Sequence, residues 1–225
     1  DTQKIARARE VMEYQMSTDK NDYWWWADGL YMVMPVMTKL YKITGNPLYL
    51  EKLHEYWAFA DSLMYDPEDA LYYRDGKYLY PKHKSVNGKK DFWARGDGWV
   101  LAALAKVLKD LPETDKYRQE YIDRYRAMAK AVAPGPETSG TAFFTYGLLW
   151  GMNNGFLDKA TYQPVVEKAW KYLTTVALQP DGRIGYVQPI GEKAIPGQVV
   201  DANSTANFGV GAFLLAACEM VRFLD

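Results

Sequence analysis

The sequence predicts an all-α array of stacked helical hairpins, and three observations predict it. Apolar residues recur at steps of three and four through most of the chain. Helical segments that are apolar on most sides alternate with segments carrying one apolar stripe and a charged face, which is the pattern of inner and outer helices. The alternation also repeats. From the start of an inner helix to the first stripe tyrosine of the next outer one, 21 residues separate Asp28 from Tyr49, 20 separate Asp97 from Tyr117, and 20 separate Ala142 from Tyr162. Self-similarity of this kind marks α/α-solenoids and α/α-toroids.

Taken in order, Ile5 to Met16 reads as an outer helix. Leu30, Val33, Met34, Met37, Leu40 and Tyr41 make the first inner helix, which Thr44-Gly-Asn-Pro ends. The next outer stripe is Tyr49, Leu53, Tyr56, Trp57, Ala60 and Leu63. Trp99 to Leu108 is the second inner helix, closed by Leu111-Pro-Glu-Thr, and Tyr117, Tyr121, Tyr125, Met128 and Val132 form the outer helix after it. Ala142 to Met152, the stripe Tyr162, Val165, Val166, Ala169 and Leu173, and Phe208 to Val221 continue the alternation. Strand signals are confined to pieces such as Arg183 to Val187. The return connections break the rhythm: 48 residues from Tyr49 to Asp97, 44 from Tyr162 to Ala206, and only 25 from Tyr117 to Ala142. The expectation is one domain over residues 1–225, with a missing segment near 132–136. A closed ring of six hairpins needs twelve helices and about eight are legible, so either the array is open or about two hairpins before Asp1 are absent.

Charge excludes several function classes. With 27 basic and 28 acidic side chains, the net charge near −1 gives no electrostatic footprint for nucleic acid or a membrane surface, and neither partner is expected. No uncharged apolar run reaches the ~18 residues of a transmembrane helix, and no leader is visible. A periplasmic, secreted or cytoplasmic setting all fit, and nothing specifies an oligomeric state. Cys218 is alone, so a disulfide framework and a cysteine zinc site are excluded. His54 and His83 are isolated, and no phosphate-cradling glycine loop occurs, so no metal or cofactor is expected. The aromatic load stands out: 34 Phe, Trp and Tyr, eight of them Trp. Such a surplus serves either a Trp-rich core or a wall on which sugar rings stack.

Five of the eight tryptophans lie at two inner-helix starts, Trp24-Trp-Trp-Ala-Asp28-Gly and Trp93-Ala-Arg95-Gly-Asp97-Gly-Trp99. Loop-borne groups beside a rigid helical array are where sites form. Asp28 and Asp97 read equally as helix N-caps, although neither has the Glu or Gln that completes a capping box. Asp28 is the stronger catalytic candidate, because desolvation among Trp24, Trp25 and Trp26 raises a carboxyl pKa toward general-acid range. Arg95, between Trp93 and Trp99, can pair a substrate carboxylate in a bidentate fork or bridge to a helix end. The loop Pro81-Lys-His-Lys-Ser-Val-Asn-Gly-Lys-Lys90 reads as solvated, with attraction of an anionic sugar as the alternative. Ser139 reads as a helix cap.

Trp-Ala-Asp-Gly-Leu-Tyr-Met at 26–32, Phe-Trp-Ala-Arg-Gly-Asp-Gly-Trp at 92–99 and Pro-Glu-Thr-Ser-Gly-Thr-Ala at 136–142 together resemble the unsaturated rhamnogalacturonyl hydrolases, glycoside hydrolase family 105, relatives of the family 88 unsaturated glucuronyl hydrolases. The resemblance implies an (α/α)6 toroid that lacks its N-terminal helices here. It also implies hydrolysis of a 4,5-unsaturated uronic acid from the non-reducing end of small lyase-generated oligosaccharides, by hydration of the C4=C5 bond and without a metal. Asp28 matches the family's proton donor, Trp26, Trp93 and Trp99 its stacking aromatics, and Arg95 its polar substrate contact, with Asp97 beside them at the substrate. Two departures accompany it. The family's second Asp, on an earlier inner helix, has no counterpart, and Arg74 stands where some members have a histidine. The alternatives are a sugar epimerase, a two-carboxylate glycosidase using Asp28 and Asp97, and a non-catalytic carbohydrate-binding module.

Overall fold

The computed structural model describes residues 2–132, 137–191 and 198–225. Among these, α1 (Thr2–Met16), α3 (Leu48–Met64), α5 (Arg118–Ala131) and α7 (Lys159–Tyr172) are the amphipathic helices, and α2 (Ala27–Thr44), α4 (Ala94–Asp110), α6 (Thr138–Asn153) and α8 (Asn207–Leu224) the apolar ones. The alternation read from the sequence is therefore present. The expected missing segment falls chiefly on 133–136, outside the described residues.

The chain divides into two compact units, Asp1–Tyr125 and Arg126–Asp225. In the first, α2 packs on α3 and α4. Leu30, Met34, Met37 and Leu40 line one face of α2 and are buried, as their spacing requires. Helix α4 is buried from Arg95 through Ala105, where Gly96, Gly98 and the run of alanines let neighbours approach closely. The turns obey the local chemistry. Gly45 adopts φ 70° and its N–H bonds Tyr41 O at 2.8 Å, which ends α2. Pro112 stops α4, and the Arg118 guanidinium donates to the carbonyls of Leu108 at 3.1 Å and Leu111 at 2.9 Å.

Two local expectations change. A short antiparallel pair, β1 (Tyr65–Asp66) and β2 (Leu71–Tyr72), opens the connection after α3, with Tyr65 opposite Tyr72. The Arg183–Val187 strand reduces to one isolated bridge between Leu178 and Ile184.

In the second unit, α6 is buried from Thr138 through Met152 and packs on α7 and α8. The α6 N-cap is Glu137, whose carboxylate accepts from Ser139 N at 3.0 Å and Gly140 N at 2.7 Å. Ser139 is thus not the cap; its hydroxyl donates to Glu137 at 2.6 Å. Helix α8 lays the stripe Gly209, Ala212, Ala216, Met220 inward. By length and hydropathy α8 is the one described helix that could cross a membrane, with Glu219 and Arg222 paired at 2.7 Å near its end.

Candidate active site

The sequence-predicted residues converge at the starts of α2 and α4, in the first unit. Both helices begin behind a tryptophan with extended backbone, Trp26 before Ala27 and Trp93 before Ala94, and neither tryptophan side chain forms a cap bond. Asp28 is therefore the second helical residue and Asp97 the fourth. The capping alternative for these two aspartates is overturned. The two starts share the pattern Trp-Ala-X-Gly, and the glycines explain it. A Cβ on Gly29 would stand 3.3 Å from the Trp26 ring, and one on Gly96 would stand 2.6 Å from the Trp93 ring. Each indole folds back over the first turn of its own helix; at Gly96 only hydrogen leaves room for it, whereas at Gly29 the fit is tight without excluding a methyl. The repeat thus aligns Asp28 with Arg95, not with Asp97.

One turn further on, the helices touch. Tyr31, three residues after Asp28, meets Trp99, four residues after Arg95, with ring centroids 4.4 Å apart. Trp99 is 7 % exposed. Trp25 and Trp26 tilt against each other at 4.9 Å, with Trp25 on the surface. Trp24 belongs to the core, edge-on to Tyr56, with its indole N–H on Gln15. The tryptophan surplus is therefore divided between buried residues such as Trp24 and Trp99 and the more exposed Trp25, Trp26 and Trp93 at the two helix starts.

Charge is distributed unequally. Asp28 is half-buried, and desolvation raises its carboxyl pKa, while the guanidinium groups of Arg74 and Arg95 oppose the rise without cancelling it. Arg95 is buried and lies 4.6 Å from the Trp93 ring centroid, a cation–π arrangement. Asp97 is 1 % exposed, and its Oδ1 accepts the Tyr72 N–H at 2.7 Å. Burial pushes its pKa up to about 8. That hydrogen bond ties β2 to α4.

Arg74 is the residue the sequence reading missed, having marked it only as a departure from the family pattern. Its carbonyl accepts the Ala27 N–H at 2.9 Å, and Trp26 bridges to Asp75, so the connection after β2 is laced to the start of α2. The Arg74 guanidinium pairs with the buried Asp75 carboxylate and stands 5.6 Å from the Tyr78 ring. Asp75 in turn accepts the Lys77 N–H at 2.8 Å. The available signal was Leu71-Tyr-Tyr-Arg-Asp-Gly, a short strand running into a turn that ends in a cation.

The two histidines are engaged elsewhere. His54 pairs with Glu120 at 3.0 Å and stacks on Tyr117, and His83 pairs with Asp91 at 2.7 Å. Among the described residues, the carboxylates that converge as metal ligands would are Asp66, Glu68 and Asp69.

Comparison with known proteins places this geometry. The profile of Glycosyl Hydrolase Family 88 matches residues 1–134 and 132–224. The chain is 37 % identical over 245 residues to an unsaturated 3S-rhamnoglycuronyl hydrolase from Formosa agariphila, matching 96 % of this chain and 64 % of that protein. It thus spans less than two-thirds of that curated relative. A solved polysaccharide lyase, BACCELL_00875, is 81 % identical with TM-score 0.94, over 100 % of this chain and 69 % of its own. A solved family 88 glycosyl hydrolase from Bacteroides vulgatus is 68 % identical with TM-score 0.95, over 99 % and 70 %. The α/α-toroid class expected from the helix pattern is the class of these relatives.

Proposed function

Because the chain belongs to glycosyl hydrolase family 88, we propose that its site hydrolyses 4,5-unsaturated uronic acids from the non-reducing end of small oligosaccharides left by polysaccharide lyases. One observation carries the reading: a half-buried carboxyl with raised pKa, Asp28, stands beside two guanidinium groups and a tryptophan wall. The substrate has the matching features. Its half-chair ring is flat enough to stack on Trp26 and Trp93, and its carboxylate suits Arg95.

The chemistry follows from an acid that becomes a base. Protonated Asp28 gives its proton to C4, and the ring oxygen stabilises the positive charge left at C5. The Asp28 carboxylate then takes a proton from water as the water oxygen bonds to C5. The resulting hemiketal opens at the C5–O5 bond to a ketone, C1 becomes a hemiacetal, and its collapse to an aldehyde expels the remaining sugar. One carboxyl serves both proton transfers, so the paired carboxylates of ordinary glycosidases are not needed.

A second reading has its own support, the 81 % identity to a polysaccharide lyase. In β-elimination a base removes H5, the C4–O bond breaks, the C4=C5 bond forms, and the leaving oxygen takes a proton. The same cations would neutralise the uronate carboxylate and acidify C5–H, and the unsaturated sugar would be product instead of substrate. Ultraviolet absorbance of the C4=C5 bond separates the readings. The hydrolase consumes the signal of an unsaturated uronyl-rhamnose disaccharide. A lyase creates signal from a saturated 4-O-rhamnosyl glucuronide. A flat signal with both, alongside binding in calorimetry, would leave a carbohydrate-binding module and overturn catalysis.

A further inference from the structure

Outside the site, a side-chain cluster closes the long connection that carries Arg74 and leads into Arg95. Lys90 Nζ lies 2.8 Å from Asp66 Oδ2, 2.8 Å from Glu68 Oε2 and 2.7 Å from Asp69 Oδ2. An ammonium has three donors, and three carboxylates take them. Asp66 is occupied on every side. Its Oδ1 accepts the N–H groups of Glu68 at 3.0 Å and Asp69 at 3.1 Å, and its Oδ2 accepts the Tyr73 hydroxyl at 2.8 Å. The Lys90 and Asp66 side chains are only 19 % and 10 % exposed, which separates this pair from freely solvated ion pairs of little worth, whereas Glu68 at 83 % and Asp69 at 45 % flank it from the solvent side. The carboxylates raise the Lys90 pKa, so the ammonium stays charged across the physiological range.

Chain connectivity gives the cluster a bearing on the site. Asp66 and Lys90 are 24 residues apart in sequence and joined through space. Tyr73, bonded to Asp66, directly precedes Arg74. Phe92, two residues after Lys90, lies 4.8 Å from the Tyr73 ring and directly precedes Trp93. Both cations near Asp28 therefore hang from one fastening.

We infer that Lys90 is a positioning residue, an internal cation that clasps the two ends of the 73–93 connection and so holds Arg74 and the Trp93–Arg95 turn beside Asp28. Its activity readout rests on the proposed function; its structural readout does not.

The test compares wild type with Lys90→Met and Lys90→Arg, by turnover and by hydrogen–deuterium exchange. Lys90→Met should lose about tenfold in kcat/KM, mostly through KM, the cost of slightly misplaced binding groups. Exchange over residues 73–95 should rise while α3 stays protected, and Lys90→Arg should keep both properties of the wild type. Unchanged exchange over 73–95 in Lys90→Met overturns the clasp. Raised exchange with unchanged turnover overturns its role in positioning. If Lys90→Met does not fold, Glu68→Gln/Asp69→Asn, which leaves the ammonium one carboxylate, should give a weaker effect of the same sign. Wild-type protein inactive on both sugars would overturn the proposed function, and the exchange data would then decide the clasp alone.

Discussion

The starts of α2 and α4 use one backbone device for opposite charges. In each, an extended tryptophan precedes the helix, its indole folds over the first turn, and a glycine three residues later leaves the space. The residue between alanine and glycine is Asp28 in one and Arg95 in the other. Their surroundings differ in the sense each charge requires. Asp28 is half-buried, enough to raise its pKa while water still reaches it. Arg95 is buried against the face of Trp93, where a guanidinium tolerates desolvation better than an ammonium would. A third start, that of α6, shows a different use of the same location. There Glu137 spends its carboxylate on Ser139 and Gly140. Glu137 turns its oxygens onto the backbone N–H groups of its own helix, whereas Asp28 sits inside its helix and caps nothing, and this sets the two carboxylates apart.

The largest expected effect tests the acid half of the pair. Asp28→Asn keeps the size and removes the proton transfer, so turnover should fall by about 10³-fold or more while the thermal midpoint stays put. A rate within tenfold of wild type would remove Asp28 from the chemistry. Arg95→Gln tests the other half. A charge-assisted hydrogen bond to the substrate carboxylate contributes about 1.5–3 kcal/mol, so kcat/KM should drop roughly ten- to a hundredfold, mainly through KM. Loss confined to kcat would show that Arg95 does not read the ground-state carboxylate.

The glycines sharpen the comparison, because the two devices are not equally tight. At Gly96 the added methyl would lie 2.6 Å from Trp93 Cε3, and at Gly29 it would lie 3.3 Å from Trp26. Alanine gains up to ~1 kcal/mol in helix propensity at either position. Gly29→Ala should therefore be near neutral in urea unfolding, whereas Gly96→Ala should lose about 1–3 kcal/mol through overpacking. It should also weaken substrate binding, since the displaced indole is the one under Arg95. Equal effects at the two glycines would mean the indoles are not held as described.

Much of this was legible in the sequence, for physical reasons. Helix periodicity survives burial, so α2 through α8 appear where apolar spacing places them. The tryptophans at 24–26, 93 and 99 marked the two helix starts, on α2 and α4, that the structure packs together. Three things were not legible. The register of the repeat was counted from Asp28 to Asp97, because an acidic residue near a helix start suggests a cap; the structure aligns Asp28 with Arg95 through Trp26 and Trp93 instead. Asp97 read as a helix cap or a site carboxylate, but its partner is a backbone N–H of Tyr72, 25 residues away, which no local pattern encodes. Arg74 arrives at α2 through a single backbone bond and one bridge from a connection whose strands are two residues long.

The smallest expected effect asks which way the Asp28 proton moves. Desolvation raises the Asp28 pKa, and the positive charges of Arg74 and Arg95 pull it back. If Asp28 must begin protonated to deliver its proton to C4, kcat is full below this pKa and declines as pH rises through it. Arg74→Gln removes one of the opposing charges, so the declining limb should move to higher pH. A shift to lower pH would contradict the placement of Arg74 beside Asp28. The shape of the profile carries a second decision. An Asp28 that acts first as a base, as elimination would ask, gives a limb that rises with pH through the same pKa, and Arg74→Gln then moves the rising limb upward. The direction of the shift locates Arg74, and the sign of the limb separates hydration from elimination at one carboxyl group.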